Sequence, residues 1–207
     1  MLDAVKIPPQ ELAAGLVAVS FAAGLNVYAT VCTLGLLAHA GVLPLPSGLE
    51  ILSSWWIIGA SGVLFLVEFF ADKVPAFDLI WNALHTFVRV PVAALLAYGA
   101  TTHLSPEKQL IATLVGGAIA LAAHGGKTAV RAAVTPSPEP VSNMTLSMGE
   151  DVLAVFLTWF ATLHPYIAAA IALAFLVIIV ALVRWVVRAL RALFRGAEHE
   201  LVHSPSH

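Results

Sequence analysis

Charged residues are scarce in this sequence, and their scarcity excludes an ordinary soluble domain. Asp, Glu, Lys and Arg make up 11% of the 207 residues, whereas 60% are hydrophobic. Soluble domains carry about 25% charged and about 45 to 50% apolar residues. The apolar residues here come in runs of about 20, the length that a helix needs to cross a bilayer. The composition therefore predicts an all-α integral membrane protein whose partner is the lipid bilayer, with no nucleic acid bound.

The sequence has only one cysteine and lacks the common catalytic motifs. The single cysteine, Cys32, cannot form an intramolecular disulfide, and no charged neighbour in sequence activates it. The sequence has no GxSxG elbow, no Walker loop and no dinucleotide fingerprint. We therefore expect no enzymatic activity and no cofactor.

Prolines, charges and polar clusters divide the chain into hydrophobic segments that predict six transmembrane helices. The segments are 12–42, 54–71, 77–102, 110–134, 144–163 and 166–194. They form one predicted transmembrane domain, 1–195, followed by a polar cytoplasmic tail, 196–207. The first segment exceeds the length of one straight span, so we expect an interruption at Gly24 and Asn26. Asparagine can hydrogen-bond the backbone groups that such a break releases.

The two halves of the chain share a weak pattern. Gly24 and Asn26 in the first segment have a counterpart in His124, Gly125 and Gly126 in the fourth. Repeats of three spans must insert with opposite topology. One interpretation is a 3+3 inverted repeat over 11–102 and 108–195, with helices 1 and 4 interrupted. The alternative is chance similarity within an apolar background.

Lys and Arg are unevenly placed, and their placement predicts an orientation. With both termini in the cytoplasm, only Lys108 of the ten basic residues lies on an outer flank. Cytoplasmic flanks carry the excess of Lys and Arg, so we predict a multi-pass protein with both termini cytoplasmic. Near the C-terminus, basic residues alternate with apolar ones and predict a helix that binds anionic lipid. These residues are Arg184, Arg188, Arg191 and Arg195.

Ionisable residues inside predicted spans are the candidates for function, because each must face protein, water or a partner. On the predicted topology they gather toward the cytoplasm, where they would form a polar vestibule for an ion or an anionic head group. Glu68 lies near this vestibule, beside the second connection. The alternative is ordinary ion pairing at helix ends. The predicted pathway residues are Asn26, Tyr28, Asp72, Lys73, Asp78, His85, Arg89, His124, Lys127, Arg131, Glu150 and Asp151.

Histidines at the outer ends of three spans raise the question of a metal. His39, His103 and His164 would lie at one face of the bundle. No HExxH pair or cysteine ligand accompanies them, so we predict no metal site.

Several motifs taken together resemble a known family. They are GLNVYAT at 24–30, FADKVP at 70–75, HTFVRVP at 85–91, HGGK at 124–127 and SPEPVSN at 137–143. From about Gly15 to about Trp159 the chain is similar to the uncharacterised bacterial membrane family known as domain of unknown function 4126. The resemblance implies a bacterial inner-membrane protein and brings no established activity. The final helix and the tail lie outside it.

The leading hypothesis is a small transporter or channel-like protein whose broken helices meet near the midplane. Half-helix N-termini would there present N–H groups to an anion, and unwound carbonyls could hold a cation. The alternative is a structural or accessory subunit of a larger membrane complex, or a homo-oligomer. An intramembrane enzyme acting on lipid would need a metal or nucleophile that the sequence does not offer.

Overall fold

The computed structural model describes residues 8–71, 75–134 and 140–203, with side chains described for 8–71, 81–131, 144–188 and 191–192. This part of the chain is helical and contains no strand. A 3₁₀ helix, Ser47–Ser53, precedes the third α-helix. The α-helices are α1 Pro9–Leu25, α2 Val27–His39, α3 Trp55–Ala71, α4 Pro75–Ala100, α5 Pro106–Val134, α6 Pro140–Leu163 and α7 Pro165–His203.

Proline sets most of the helix starts. Five of the seven α-helices, α1, α4, α5, α6 and α7, begin at a proline. Proline is suited to the first helical position, because its fixed φ fits the helix and its missing N–H would have no partner there. The same prolines helped to divide the sequence into segments, which is why each segment after the first corresponds closely to one helix.

Helix α1 runs parallel to α5 through the centre of the bundle. The Oγ of Ser20 lies beside Gly116, Gly24 packs on Ala120, and the Leu25 carbonyl accepts a bond from Lys127. The numbers of the contacting residues therefore increase together along the two helices, which makes α1 and α5 parallel. Helices α4, α6 and α7 also pack against α1, which makes it the central helix.

Helix α2 turns back from α1 and runs parallel to α4. Tyr28 meets His85, and six residues further on Leu34 lines the same cavity as Leu96. Helix α4 is antiparallel to α5, since Arg89 contacts His124 while Gln109 bonds the Tyr98 carbonyl. Helices α1 and α2 consequently form a re-entrant hairpin with Asn26 at its tip.

The predicted interruption of segment 12–42 is confirmed at Asn26, but the prediction that the segment forms a single span is wrong. Its helices have 17 and 13 residues, and each is shorter than the about 20 residues that a bilayer core requires. The extended backbone of Asn26, with φ −148 and ψ 103, reverses the chain. The start of α1 and the end of α2 therefore lie at the same end of the bundle.

The described helix ends do not confirm the predicted placement of both termini on one side of the membrane. Ala18 packs with Ala168, and the Phe21 ring stacks on Phe175, so α7 runs parallel to α1. The start of α1 and the end of α7 consequently lie at opposite ends of the bundle.

The predicted interruption of the fourth segment is wrong as well, because α5 continues through Gly125 and Gly126. A Cβ on Gly126 would collide with Ile179 of α7, whereas one on Gly125 would meet open space. Gly126 thus allows two helices to approach closely and does not break one. Without a second interruption, the 3+3 inverted repeat is not confirmed.

In the part of the chain that the structure describes, four helical stretches are long and apolar enough to cross a membrane: Trp81–Ala100, Pro106–Arg131, Met144–Leu163 and Pro165–Arg188. A fifth results if Ser47–Ser53 and Trp55–Ala71, which are bent by 67° at their junction, count as one span. These helices indicate a membrane-embedded protein, and the predicted count of six spans is not confirmed.

Candidate functional site

The hairpin tip is held by two polar side chains from the surrounding helices. Asn26 caps α2, since its Oδ1 accepts a bond of 2.9 Å from the Ala29 N–H. Its Nδ2 donates to Oδ1 of Asp151 on α6 over 2.8 Å. The ammonium of Lys127 donates to the Leu25 carbonyl at the end of α1 over 3.1 Å. Backbone groups that the break releases are therefore satisfied inside the protein, as buried polar groups must be.

Beside the tip, α4 and α5 are joined by a buried arginine–histidine contact. Nη1 of Arg89 lies 2.6 Å from Nδ1 of His124 and 3.2 Å from Oδ1 of Asn82. An arginine only donates, so Nδ1 accepts and the neutral imidazole carries its proton on Nε2. Nε2 lies 3.0 Å from the Asn82 carbonyl and 2.8 Å from the Thr86 hydroxyl. His124 is thereby fixed in one tautomer.

Ion pairs connect these residues to α3 and α6. Glu68 accepts from Nη2 of Arg89, and the same carboxylate oxygen lies 3.8 Å from the Lys127 ammonium. Lys127 is also 3.2 Å from Glu150, which Nη2 of Arg131 reaches over 2.5 Å. A row of alternating charges thus runs across the bundle from Arg89 to Arg131.

A tyrosine–histidine pair flanks this row. The Tyr28 hydroxyl lies 3.1 Å from Nε2 of His85, and Nδ1 of His85 lies 2.8 Å from the Trp81 carbonyl. A carbonyl only accepts, so Nδ1 carries a proton and Nε2 can accept from the hydroxyl. The indole of Trp81 stacks on the imidazole with ring centroids 4.2 Å apart.

The residues of this network are buried, and burying their charges costs free energy. Asn26, Glu68 and Arg89 are 0% exposed, and Lys127 and Arg131 are 3% and 2% exposed. Taking charges out of water costs several kcal/mol per ion, and only close pairing offsets that cost. Among the side chains that the structure describes, the three acids Glu68, Glu150 and Asp151 accompany three bases, Arg89, Lys127 and Arg131.

The structure brings together nine of the predicted pathway residues: Asn26, Tyr28, His85, Arg89, His124, Lys127, Arg131, Glu150 and Asp151. Asp72 and Lys73 lie outside the described residues. Asp78 lies on α4, in a stretch whose side chains are not described.

Sequence reasoning left out three residues of the network. The sequence pattern places Glu68 only beside the vestibule, whereas in the structure its carboxylate joins Arg89 to Lys127. Asn82 and Thr86 also hold His124. Their spacing gave a usable signal, because positions 82, 86 and 89 recur every three or four residues and share one face of α4.

The outer histidines have separate environments. Nδ1 of His39 lies 3.0 Å from the Ser53 carbonyl and its ring packs on Trp55, whereas His164 packs on Phe160. Within 8–71, 75–134 and 140–203, no group of three or more His, Cys, Asp or Glu residues is arranged to hold a metal ion.

Comparisons with curated proteins and with solved structures find no match. A family model described as Domain of unknown function (DUF4126) matches residues 12–185. The match reaches well into α7, beyond the limit near Trp159 that the sequence motifs indicated. Since it covers most of the chain and all of the polar network, the chain belongs to the family of domain of unknown function 4126.

Proposed function

We propose that this protein is a small transporter or channel-like protein of the bacterial inner membrane, without enzymatic activity. It moves an ion or a small anionic solute through the polar network at the hairpin tip. The observation that carries the proposal is the buried row of charges around Asn26, where a re-entrant helix pair ends among four other helices.

The free energy required to bury these charges favours a transport function over a purely structural one. Buried ion pairs can often be replaced by packed apolar residues with equal or better stability, so stability alone does not favour retaining them. Ionisable residues at membrane depth commonly mark ion and substrate pathways. Helix ends inside the bilayer region are likewise a feature of transporter binding sites.

The residue types favour an anion as the solute. Arg89, Lys127 and Arg131 lie on adjoining faces of α4 and α5. Arginine and lysine donors suit carboxylate and phosphate oxygens. Glu68 and Glu150 neutralise these bases in the described arrangement, which we regard as the closed state of the pathway.

The basic end of α7 supports an orientation. Arg184, Arg188 and Arg191 are exposed beside apolar residues such as Trp185. By the positive-inside rule this end faces the cytoplasm, where the arginines contact anionic lipid. The start of α1 and the end of α2 then face the opposite side of the membrane.

Flux through proteoliposomes tests the proposal. Wild type, the double variant Asn26→Leu with His124→Leu, and a control, Thr158→Val, are reconstituted at equal density. Thr158 is buried and donates to the Ala154 carbonyl, so its isosteric replacement tests a polar loss outside the network. Uptake of radiolabelled formate and of chloride is measured for each.

We expect wild type and Thr158→Val to take up anions and the double variant to match protein-free liposomes. Equal uptake by wild type and both variants would remove the reason for placing the pathway at Asn26 and His124. Absence of uptake in wild type would contradict transport of these anions.

A second candidate function is an accessory subunit of a larger membrane complex or a homo-oligomer. The observation that favours it is the exposure of α7, where Ile167, Val177 and Trp185 lie on the surface. Such a surface fits either lipid or a neighbouring helix. Purification in mild detergent distinguishes these two possibilities, because an accessory subunit or a homo-oligomer should co-purify with a stoichiometric partner or a second copy.

A further inference from the structure

We infer that Glu68 occupies the anion-binding position of the network, and that the solute is a small monovalent anion of carboxylate size. This inference rests on the proposed function and names both its solute class and its gate. Glu68 acts as an internal anion, which the solute replaces between Arg89 and Lys127 when the pathway opens.

The position of Glu68 fits this role. Its Oε1 meets Nη2 of Arg89 on α4 and lies 3.8 Å from Nζ of Lys127 on α5. All three side chains are 0% exposed. An anion that reached this point would meet the guanidinium of Arg89 as a hydrogen-bond donor and the ammonium of Lys127 as a second nearby cation, and charge-assisted bonds of this kind bind carboxylates.

Glu68 is held less completely than its counterpart Glu150. Its Oε2 and the Nε of Arg89 find no hydrogen-bond partner among the described residues. Glu150, in contrast, bonds both Nε and Nη2 of Arg131 and also pairs with Lys127. Buried polar groups are normally satisfied, so the half-satisfied pair is the weaker one. Glu68 is therefore the carboxylate that a solute displaces more easily.

The helix that carries Glu68 is also less tightly packed than the helices that carry the cations. Helix α3 packs chiefly against α2 and has only small contacts with α4 and α6. An open groove of about 340 Å³ lies between it and α6, with Phe65 and Phe69 on one side and Met148, Val152 and Phe156 on the other. Helices α4 and α5, which carry the cations, are closely packed against each other. Movement of α3 would thus withdraw the carboxylate and leave the cations in place.

Chemical rescue tests the assignment. Glu68→Ala removes the carboxylate and leaves two buried cations, so we expect its Tm to fall. Formate should raise that Tm in a saturable way, because it refills the vacated position, whereas gluconate at equal ionic strength is too large to do so. Asn82→Ala is the matched control, since it removes a neutral partner of the same arginine, and formate should not rescue it.

Flux supplies the second arm. We expect Glu68→Ala and the shape-preserving Glu68→Gln to take up formate faster than wild type, because the internal anion is gone. Glu68→Gln keeps the test available should the alanine variant not fold. If formate raises the Tm of Glu68→Ala in a saturable way but wild type takes up no formate, transport is refuted while the anion-binding position is supported. Uptake by wild type that neither variant raises, together with no formate rescue, would overturn the role of Glu68.

Discussion

Replacement of Lys127 by methionine gives the most direct stability test of the network. Methionine fills similar space but removes the ammonium that contacts Glu150, Glu68 and the Leu25 carbonyl. Removing one partner of a buried ion pair costs about 3 to 5 kcal/mol. At about 2 to 4 °C per kcal/mol for a chain of this size, a loss of about 4 kcal/mol lowers Tm by about 8 to 16 °C.

Cys32 provides the assay. It is the single cysteine, it is partly buried, and its Sγ lies 3.8 Å from the Ile58 carbonyl on α3. A fluorogenic thiol dye will therefore report the temperature at which α2 and α3 separate. The control is Lys108→Met, the same substitution at an exposed position of the same helix, with an expected effect within about 0.5 kcal/mol.

A double variant separates charge imbalance from lost packing. Lys127→Met with Glu150→Gln removes a base together with an acid that pairs with it, so the double variant should be less destabilised than the sum of its single changes. The coupling between contacting charges is about 0.5 to 3 kcal/mol. Equal Tm values for Lys127→Met and Lys108→Met, or strictly additive losses in the double variant, would refute the reasoning.

Two further predictions concern the glycines and the hairpin. Gly24→Ala should destabilise by about 1 to 3 kcal/mol, since its Cβ would lie 2.5 Å from the Ala120 carbonyl oxygen. Gly125→Ala, which meets nothing within 4 Å, should stabilise α5 by about 0.5 to 1 kcal/mol. The thiol-dye Tm measures both, and equal shifts would contradict the packing argument. In a Cys32→Ala background, an impermeant maleimide should label Gln10→Cys and Val42→Cys from one side and Arg191→Cys from the other. Labelling of positions 10 and 42 from opposite sides would show a single span instead of a hairpin.

Elements whose limits are set locally could be predicted from the sequence. Proline at Pro75, Pro106, Pro140 and Pro165 starts four helices regardless of what packs around them. The cost of charge in lipid likewise predicted that His85, Arg89, Lys127 and their neighbours would converge. These predictions require only the residue type and the knowledge that lipid surrounds the helices.

Features that depend on the opposing helix could not be predicted in the same way. Gly24 and Gly126 read alike in sequence, yet both remain helical, one against Ala120 and the other against Ile179. The backbone reverses at Asn26, where the sequence indicated a break but not its angle. That angle depends on α1 packing along α5 while α2 packs along α4. The place of Glu68 in the site could not be predicted for the same reason, because its partners come from two other helices and depend on how these pack.

The signs of the charges at the tip follow from the hairpin itself. Helix α1 ends at Leu25, so the negative end of its dipole points into the bundle, and there the structure has the ammonium of Lys127. Helix α2 begins at Val27, so the positive end of its dipole lies at the same point, where Asn26 caps it and bonds the carboxylate of Asp151. Each charge has the sign that the nearer helix end stabilises. An anion taking the place of Glu68 would keep this balance, because Lys127 would still have a negative partner on each side. A cation in that position would instead add positive charge beside Arg89 and Lys127 and leave Arg89 without the carboxylate that pairs with it, so this position favours an anionic solute.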